Sequence, residues 1–356
     1  MKNSSIVKAI LDITEKEHLN LYHSITKEEI LSHIKSINWD NLTPLQFDLE
    51  MLKIFSKFKD AHTSYFIPTI NTNKKFILNN NEIYLKNKEK YEKIVKIGNI
   101  DSETIINLCK NITTWETEAW ANCQIEKMLN NMHFHSLIGV NQNKKIKCQT
   151  ENGEEIVVKE NTEKVHSEPY YSYKILDGKV LYLKYRGCLD MKDYPFAQMV
   201  KEIEEEIKNH KIENYILDVR GNTGGSSEVL NPFQELVADK KLKGVLLIDN
   251  WTFSSGRFAV ARFKKHFNTP FIGQPTGGSA KSYGQKKRLE FEGKKFSASQ
   301  KFFDFSDLGY TDSFIPDIEI KTTIQDLEKG EDKVLETALS YIKTNLLQKK
   351  ENVLNK

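Results

Sequence analysis

The stretch YILDVRGNTGG, residues 215 to 225, decides the fold. Tyr215-Ile-Leu-Asp-Val has the length and branched, apolar character of a buried strand, and it stops at a turn rich in Gly and Asn that frees backbone N–H groups. A second stretch repeats the plan: Gly244-Val-Leu-Leu-Ile runs into DNWTFSSGRFAVARF, residues 249 to 263. There Thr252, Ser254 and Ser255 precede a helical pattern carrying Phe258, Ala261 and Arg262. A serine at a strand-to-helix turn is where acyl-transfer enzymes often place a nucleophile, because the helix dipole and its unpaired N–H groups favour a developing oxyanion. The same hydroxyls are good helix N-caps, and most such clusters are only that. A nucleophile therefore needs a second feature.

Working outward, the pattern from 168 onward alternates strand and helix. Residues 179 to 185 read as a strand, 196 to 209 as an amphipathic helix with Phe196, Met199, Val200, Ile203 and Ile207 inward, and Thr269-Pro-Phe-Ile-Gly as a third core strand. This spacing predicts an α/β core with strands side by side and helices across them. Residues 287 to 305 read as a β-ribbon, Pro316-Asp317 as the start of a last core strand, and 332 to 347 as a closing helix.

Upstream, residues 1 to 65 read as a helical domain. Thr26 and Glu29 form a capping box, and Leu45, Phe47, Leu49, Leu52, Phe55 and Phe58 supply an apolar face. His62, in Lys59-Asp60-Ala61-His62-Thr63, falls on a loop after the helices; a lone His is more often structural than catalytic. Residues 66 to 167 read as a small β-rich domain. It has short strands at 75 to 78, 82 to 85 and 94 to 97, a helix capped by Ser102, a second helical stretch with Trp115 and Trp120, and a hairpin around Glu151-Asn-Gly-Glu. It resembles a degenerate PDZ domain without a carboxylate-capturing loop. The catalytic domain is expected over 168 to 347, with 348 to 356 as a tail.

Composition narrows the function. A net charge of +3 with interspersed signs gives no footprint for nucleic acid. Cys109, Cys123, Cys148 and Cys188 lack metal-ligand spacing, so no metal and no cofactor are expected, and free thiols suggest a reducing compartment. No membrane span and no export signal are visible, which points to the cytoplasm; a secreted form trimmed of its signal would read the same.

Taken in order, DVRGNTGG (218 to 225), TFSSG (252 to 256), GQPTGG (273 to 278), FIPDIEI (314 to 320) and the N-terminal KDAHT (59 to 63) resemble the tail-specific, or C-terminal processing, serine peptidases, in the branch containing the tricorn core domain. The resemblance covers the whole chain, strongly over 170 to 325. It implies a mixed α/β fold with a Clp protease/crotonase-like core, an N-terminal helical bundle and an inserted β-rich domain. It further implies a serine-type endopeptidase acting on peptides or unfolded protein tails through an acyl-enzyme on Ser254. Under it, Ser255 supplies one oxyanion N–H, and Gly224 or Gly225 the other. The register lysine of the Ser-Lys members falls at position 279, which is Ser, with Lys281 two residues on. The tricorn-like members take a His in the place of His62, which is preferred here over Lys281 as the base. Asp312, with Asp307 beside it, is the candidate acidic partner, and Tyr283 and Gly278 are candidate substrate contacts. Ala61 stands where the tricorn enzyme has a serine. The base must come from 59 to 66 or 276 to 284, so the site is expected to draw on more than one domain. Self-association is compatible with the chain. A non-catalytic peptide- or small-ligand-binding protein on the same scaffold is the alternative.

Overall fold

A computed structural model describes residues 1–163, 168–177 and 179–347, so the expected boundary at 167 and the tail at 348 to 356 lie outside the described residues. The chain divides into two compact units, Met1–Lys164 with Ser282–Phe303, and Val165–Lys281 with Asp304–Lys356.

The first unit opens with helices α1 (Asn3–Glu17), α2 (Lys27–Lys35) and α3 (Pro44–Ser56). Thr26 and Glu29 make the expected capping box on α2, and Thr43 with Gln46 repeats it on α3, where Pro44 takes the first turn. Helix α3 buries Phe47, Met51, Leu52, Ile54 and Phe55; Leu45, expected on that face, is exposed. After the His62 turn come β1 (Tyr65–Phe66), β2 (Phe76–Asn79), β3 (Glu82–Asn87), β4 (Lys90–Ile97) and β5 (Ile100–Asp101). Helices α4 (Ser102–Ile112), α5 (Glu118–Leu129) and α6 (Met132–Leu137) precede the hairpin β6 (Lys145–Thr150) and β7 (Glu155–Lys159). The strands pair antiparallel in the order β2-β3-β4-β6-β7, with β5 on β4. Strict alternation along β6 and β7 turns Ile146, Cys148, Ile156 and Val158 inward.

Two local expectations are corrected. The cap of α4 is Asp101, whose carboxylate accepts the Thr104 N–H at 2.8 Å; Ser102 is the first helical residue and donates to the Ile94 carbonyl at 2.6 Å. Trp115 lies before α5, its indole N–H on the Lys110 carbonyl at 3.0 Å, so only Trp120 is helical. One apolar core joins α1 and α3 to this sheet, with Val7, Phe47 and Phe55 in the same cluster as Ile83, Ile94 and Ile146.

The second unit contains β8 (Tyr171–Leu176), β9 (Val180–Tyr185), α7 (Phe196–His210), β10 (Asn214–Asp218), α8 (Asn231–Asp239), β11 (Lys243–Ile248), α9 (Ser255–Phe267) and β12 (Phe271–Gly273). The ribbon β13 (Lys281–Phe291) and β14 (Lys294–Asp304), whose residues 282–303 belong to the first unit, pairs there with β1 in the order β1-β14-β13, Tyr65 opposite Phe296. Last come β15 (Ile318–Glu319), α10 (Ile324–Lys329), α11 (Lys333–Tyr341) and a π-helical turn, Ile342–Leu347.

The core sheet runs β15-β12-β11-β10-β9-β8, parallel except for β8. Its central strands are buried on both faces, the reason they read as unbroken apolar runs. The pleat sends Tyr215, Leu217 and Leu246 towards α7, α8 and α9, and Ile216, Val245 and Leu247 towards Val334 and Ala338 of α11. Among the described residues no helix is long and apolar enough to cross a membrane. The four cysteines are free and buried.

Candidate active site

The turn between β11 and α9 places a non-glycine residue in a left-handed backbone conformation. The Gly256 N–H closes onto the Phe253 carbonyl at 2.9 Å, making a β-turn whose second residue, Ser254, has φ 51° and ψ −121°. These angles belong to the first central position of a type II′ turn, which Gly ordinarily fills, so a serine there is strained. Ser254 stands at the N-cap of α9, yet its side chain makes no capping hydrogen bond. The capping explanation of this cluster therefore does not account for Ser254. Its neighbour Ser255 opens α9, and the Ser255 hydroxyl donates to the Gly225 carbonyl at 2.7 Å.

The glycine turn after β10 lies directly against this serine turn. A β-carbon added to Gly224 would meet the Ser254 Cβ at 2.7 Å, the Ser255 N at 2.9 Å and the Ser254 Oγ at 3.0 Å. One added to Gly256 would meet the Asn222 carbonyl at 2.5 Å, so both sides of this contact need glycine. The Gly224 N–H donates to the Asn222 side-chain oxygen at 2.9 Å. The N–H groups of Gly225 and Ser255 have no acceptor among the described residues.

Asn222 proves central in a way its sequence context did not reveal. The left-handed residue of this turn is Gly221, φ 74°, and Asn222 has a negative φ. Its fully buried side chain instead donates to the Tyr185 carbonyl at 2.8 Å and accepts from Gly224, while its own carbonyl accepts the Phe253 N–H at 2.9 Å. One amide thus ties the end of β9 to both turns. The available signal was an Asn inside a Gly-rich turn, which also fits a simple αL residue.

Asp218 and Arg220 brace the same turn. Arg220 binds Asp218 through Nε and Nη2 at 2.9 and 2.7 Å and Asp332, the N-cap of α11, through Nη1 and Nη2 at 2.8 Å each. Asp249 accepts from the Gly221 N–H at 3.0 Å, the Trp251 N–H at 3.0 Å and the Thr252 hydroxyl at 3.1 Å, linking the two turns from beneath. Burial pushes the Asp249 carboxyl up to about 6, reinforced by the Asp218 charge and opposed by the Gly221 N–H. A cavity of about 330 Å³ opens beside this framework, lined by Lys184, Arg186, Asp218, Arg220, Asp249 and Gln274 among others; no predicted site residue lines it.

The remaining candidates of the second unit lie on the loop after β12. The Gly278 N–H donates to the Thr252 carbonyl at 3.1 Å, which fastens this loop to the serine turn. Lys281 is half-exposed, with its Nζ 3.4 Å from Asp304. Asp312 is exposed and contributes its carbonyl to the Ala280 N–H at 2.7 Å, and Asp307 pairs with Lys265 at 2.9 Å.

Two candidates belong to the first unit. His62 is buried; its N–H donates to Asp60 Oδ1 at 2.9 Å, its carbonyl accepts the Ser297 hydroxyl at 2.7 Å, and its Cε1 lies 3.8 Å from the β-carbon position of Gly284. Tyr283 packs against His23, His18 and Phe302, with ring centroids at 4.4, 5.1 and 5.0 Å. Sequence reasoning passed over His18, whose Nε2 lies 2.9 Å from Asp60 Oδ2.

No protein-family model matches this chain, and no curated protein matches it in sequence. Solved structures do match in fold. Mature CPAF complexed with lactacystin aligns over 98% of this chain and 99% of its own, with TM-score 0.68 and 12% identity. The photosystem II D1 C-terminal processing protease aligns over 92% and 97%, with TM-score 0.52 and 8% identity. At such identities the likeness is one of architecture, and the chain carries the mixed α/β fold of the C-terminal processing peptidases.

Proposed function

We propose that the protein is a serine-type peptidase that hydrolyses peptides or unfolded protein tails through an acyl-enzyme on Ser254. The observation that carries this reading is Ser254 itself: a serine in a glycine-type backbone conformation at the start of α9, its hydroxyl not spent on capping, with Gly224 packed against it. Strain retained at one residue beside a helix N-terminus and a glycine turn is characteristic of a nucleophile turn. Ser255 and Gly225 supply the oxyanion N–H groups; Gly224 is the weaker donor because its N–H is already given to Asn222.

For the base, His62 is favoured over Lys281. A lysine prepared for proton abstraction needs a dry setting without a carboxylate partner, whereas Lys281 is half-exposed beside Asp304. His62 is buried in a braced turn. Asp312 keeps only the place its motif assigns it, Tyr283 and Gly278 remain the substrate contacts, and the tricorn-like branch remains the reading of KDAHT. The domain division at 65 and 167, with a degenerate PDZ-like middle piece, belongs to the same proposal.

The test is cleavage of an unfolded polypeptide by the parent and by Ser254→Ala. Loss to background, a fall of up to about 10⁶-fold, is expected. Undiminished turnover in the variant removes the reading; tight peptide binding with no turnover by the parent favours the binding-protein alternative.

A further inference from the structure

We propose that Asp60 is the positioning residue of His62, and that His18, at the C-terminal end of α1, holds the Asp60 carboxylate in place for that task. The proposal rests on the reading of His62 as the base, and all three residues belong to the first unit.

The geometry is complete around the carboxylate. Asp60 is fully buried, and Oδ1 accepts the His62 backbone N–H at 2.9 Å. Oδ2 accepts the Thr63 hydroxyl at 2.6 Å and meets His18 Nε2 at 2.9 Å. The Thr63 hydroxyl in turn accepts the Ser299 N–H at 3.1 Å, and the Ser297 hydroxyl donates to the His62 carbonyl, so β14 clamps the turn from its other side.

The His18 tautomer follows from its second nitrogen. The Asn20 N–H donates to His18 Nδ1 at 2.8 Å, so Nδ1 carries no proton and Nε2 carries one, which it donates to Asp60. A histidine held as an Nε2–H donor is a fixed partner for a carboxylate, and the Tyr283 ring packed on it at 5.1 Å limits its rotation. Burial alone would raise the Asp60 carboxyl; the hydrogen bonds from His18, Ser299 and Thr63 and the charge of His62 outweigh it and bring it down to about 2. Asp60 is therefore an anion throughout the working pH range, lying beside His62 and favouring an imidazolium there. The titratable groups that face Asp60 are His18 and His62, with the Thr63 and Ser299 hydroxyls completing its surroundings. The sequence signal of Asp60 is local: two residues before a His, it looks like a turn-former.

The test combines a titration with kinetics. The His62 ring proton on Cε1, identified by its absence in His62→Gln, is followed by NMR across pH in the parent and in Asp60→Asn, and both are assayed for hydrolysis of an unfolded polypeptide. Asp60→Asn is expected to titrate His62 at lower pH, and to lower kcat about tenfold or more with KM within about twofold. An unchanged His62 titration and unchanged kcat in a folded Asp60→Asn overturn the proposal. If that variant does not fold, His18→Leu and His18→Gln decide: the first should lose about fivefold or more in kcat, and the second, which keeps an N–H donor, should recover most of it. Equal activity in parent, His18→Leu and His18→Gln also overturns it. Full turnover by His62→Gln together with a shifted titration in Asp60→Asn would remove the base reading and leave the Asp60–His62 coupling standing.

Discussion

Gly224 stands so close to Ser254 that a β-carbon on the glycine would lie 2.7 Å from the serine Cβ and 2.9 Å from the Ser255 nitrogen. No side chain fits between the glycine turn and the serine turn, and Gly224 itself has φ 106°, a conformation that L-residues rarely adopt.

Gly224→Ala should therefore separate the two turns. The cost is expected at about 1–3 kcal/mol in stability, from backbone strain and forced displacement. Labelling of Ser254 by an acylating reagent should slow by much more than the loss of stability alone explains. Thermal melting and labelling rate measured together check this, and parental labelling by the variant would contradict it.

Ser254→Gly should act in the opposite sense on stability. Glycine tolerates φ 51°, ψ −121° without strain, which releases roughly 1–3 kcal/mol, while greater freedom of the unfolded chain takes back about 0.5–1 kcal/mol. A net gain of about 1 kcal/mol with complete loss of hydrolysis is the expected result of denaturant unfolding and assay. A clear loss of stability would mean that the serine side chain supports the turn more than its backbone strains it.

Asp249 gives the fold a pH dependence of unusual sign. An unfolded Asp ionises near 3.9, whereas burial raises the folded carboxyl to about 6. Between those values the folded state holds more protons, so stability attributable to this group falls as pH rises from about 4 to about 6, and its cost is full above 6. Asp249→Asn removes the titration. The melting temperature of the variant relative to the parent should therefore rise between pH 4.5 and pH 7.5, by several degrees; a constant difference across that range would exclude Asp249 as the source.

Much of the fold was legible in local pattern. Strands β10 and β11 read as apolar runs because a parallel strand covered on both faces has no polar alternation to interrupt it. The Thr26–Glu29 box was legible because both partners lie within one turn. The errors were of another kind. Ser102 and Asp101 are both competent caps, and only backbone geometry shows that the helix begins at Ser102. Asn222 in a glycine-rich turn carries no local sign of its partners, Tyr185 and Phe253, which lie 37 and 31 residues away.

The sequence by itself determined the two strand-to-turn units at 215 to 225 and 249 to 263, the α/β alternation around them, and the residue types available for acyl transfer, because strand periodicity, capping and turn chemistry are encoded within a few neighbouring residues. Only the tertiary structure decided that Ser254 occupies a glycine-type conformation instead of capping its helix, that the Gly224 N–H is committed to Asn222, and that the carboxylate beside His62 is Asp60, held by a histidine 42 residues earlier. Those facts depend on long-range packing, where two segments approach closely enough to choose each hydrogen-bond partner, and no local pattern specifies that choice.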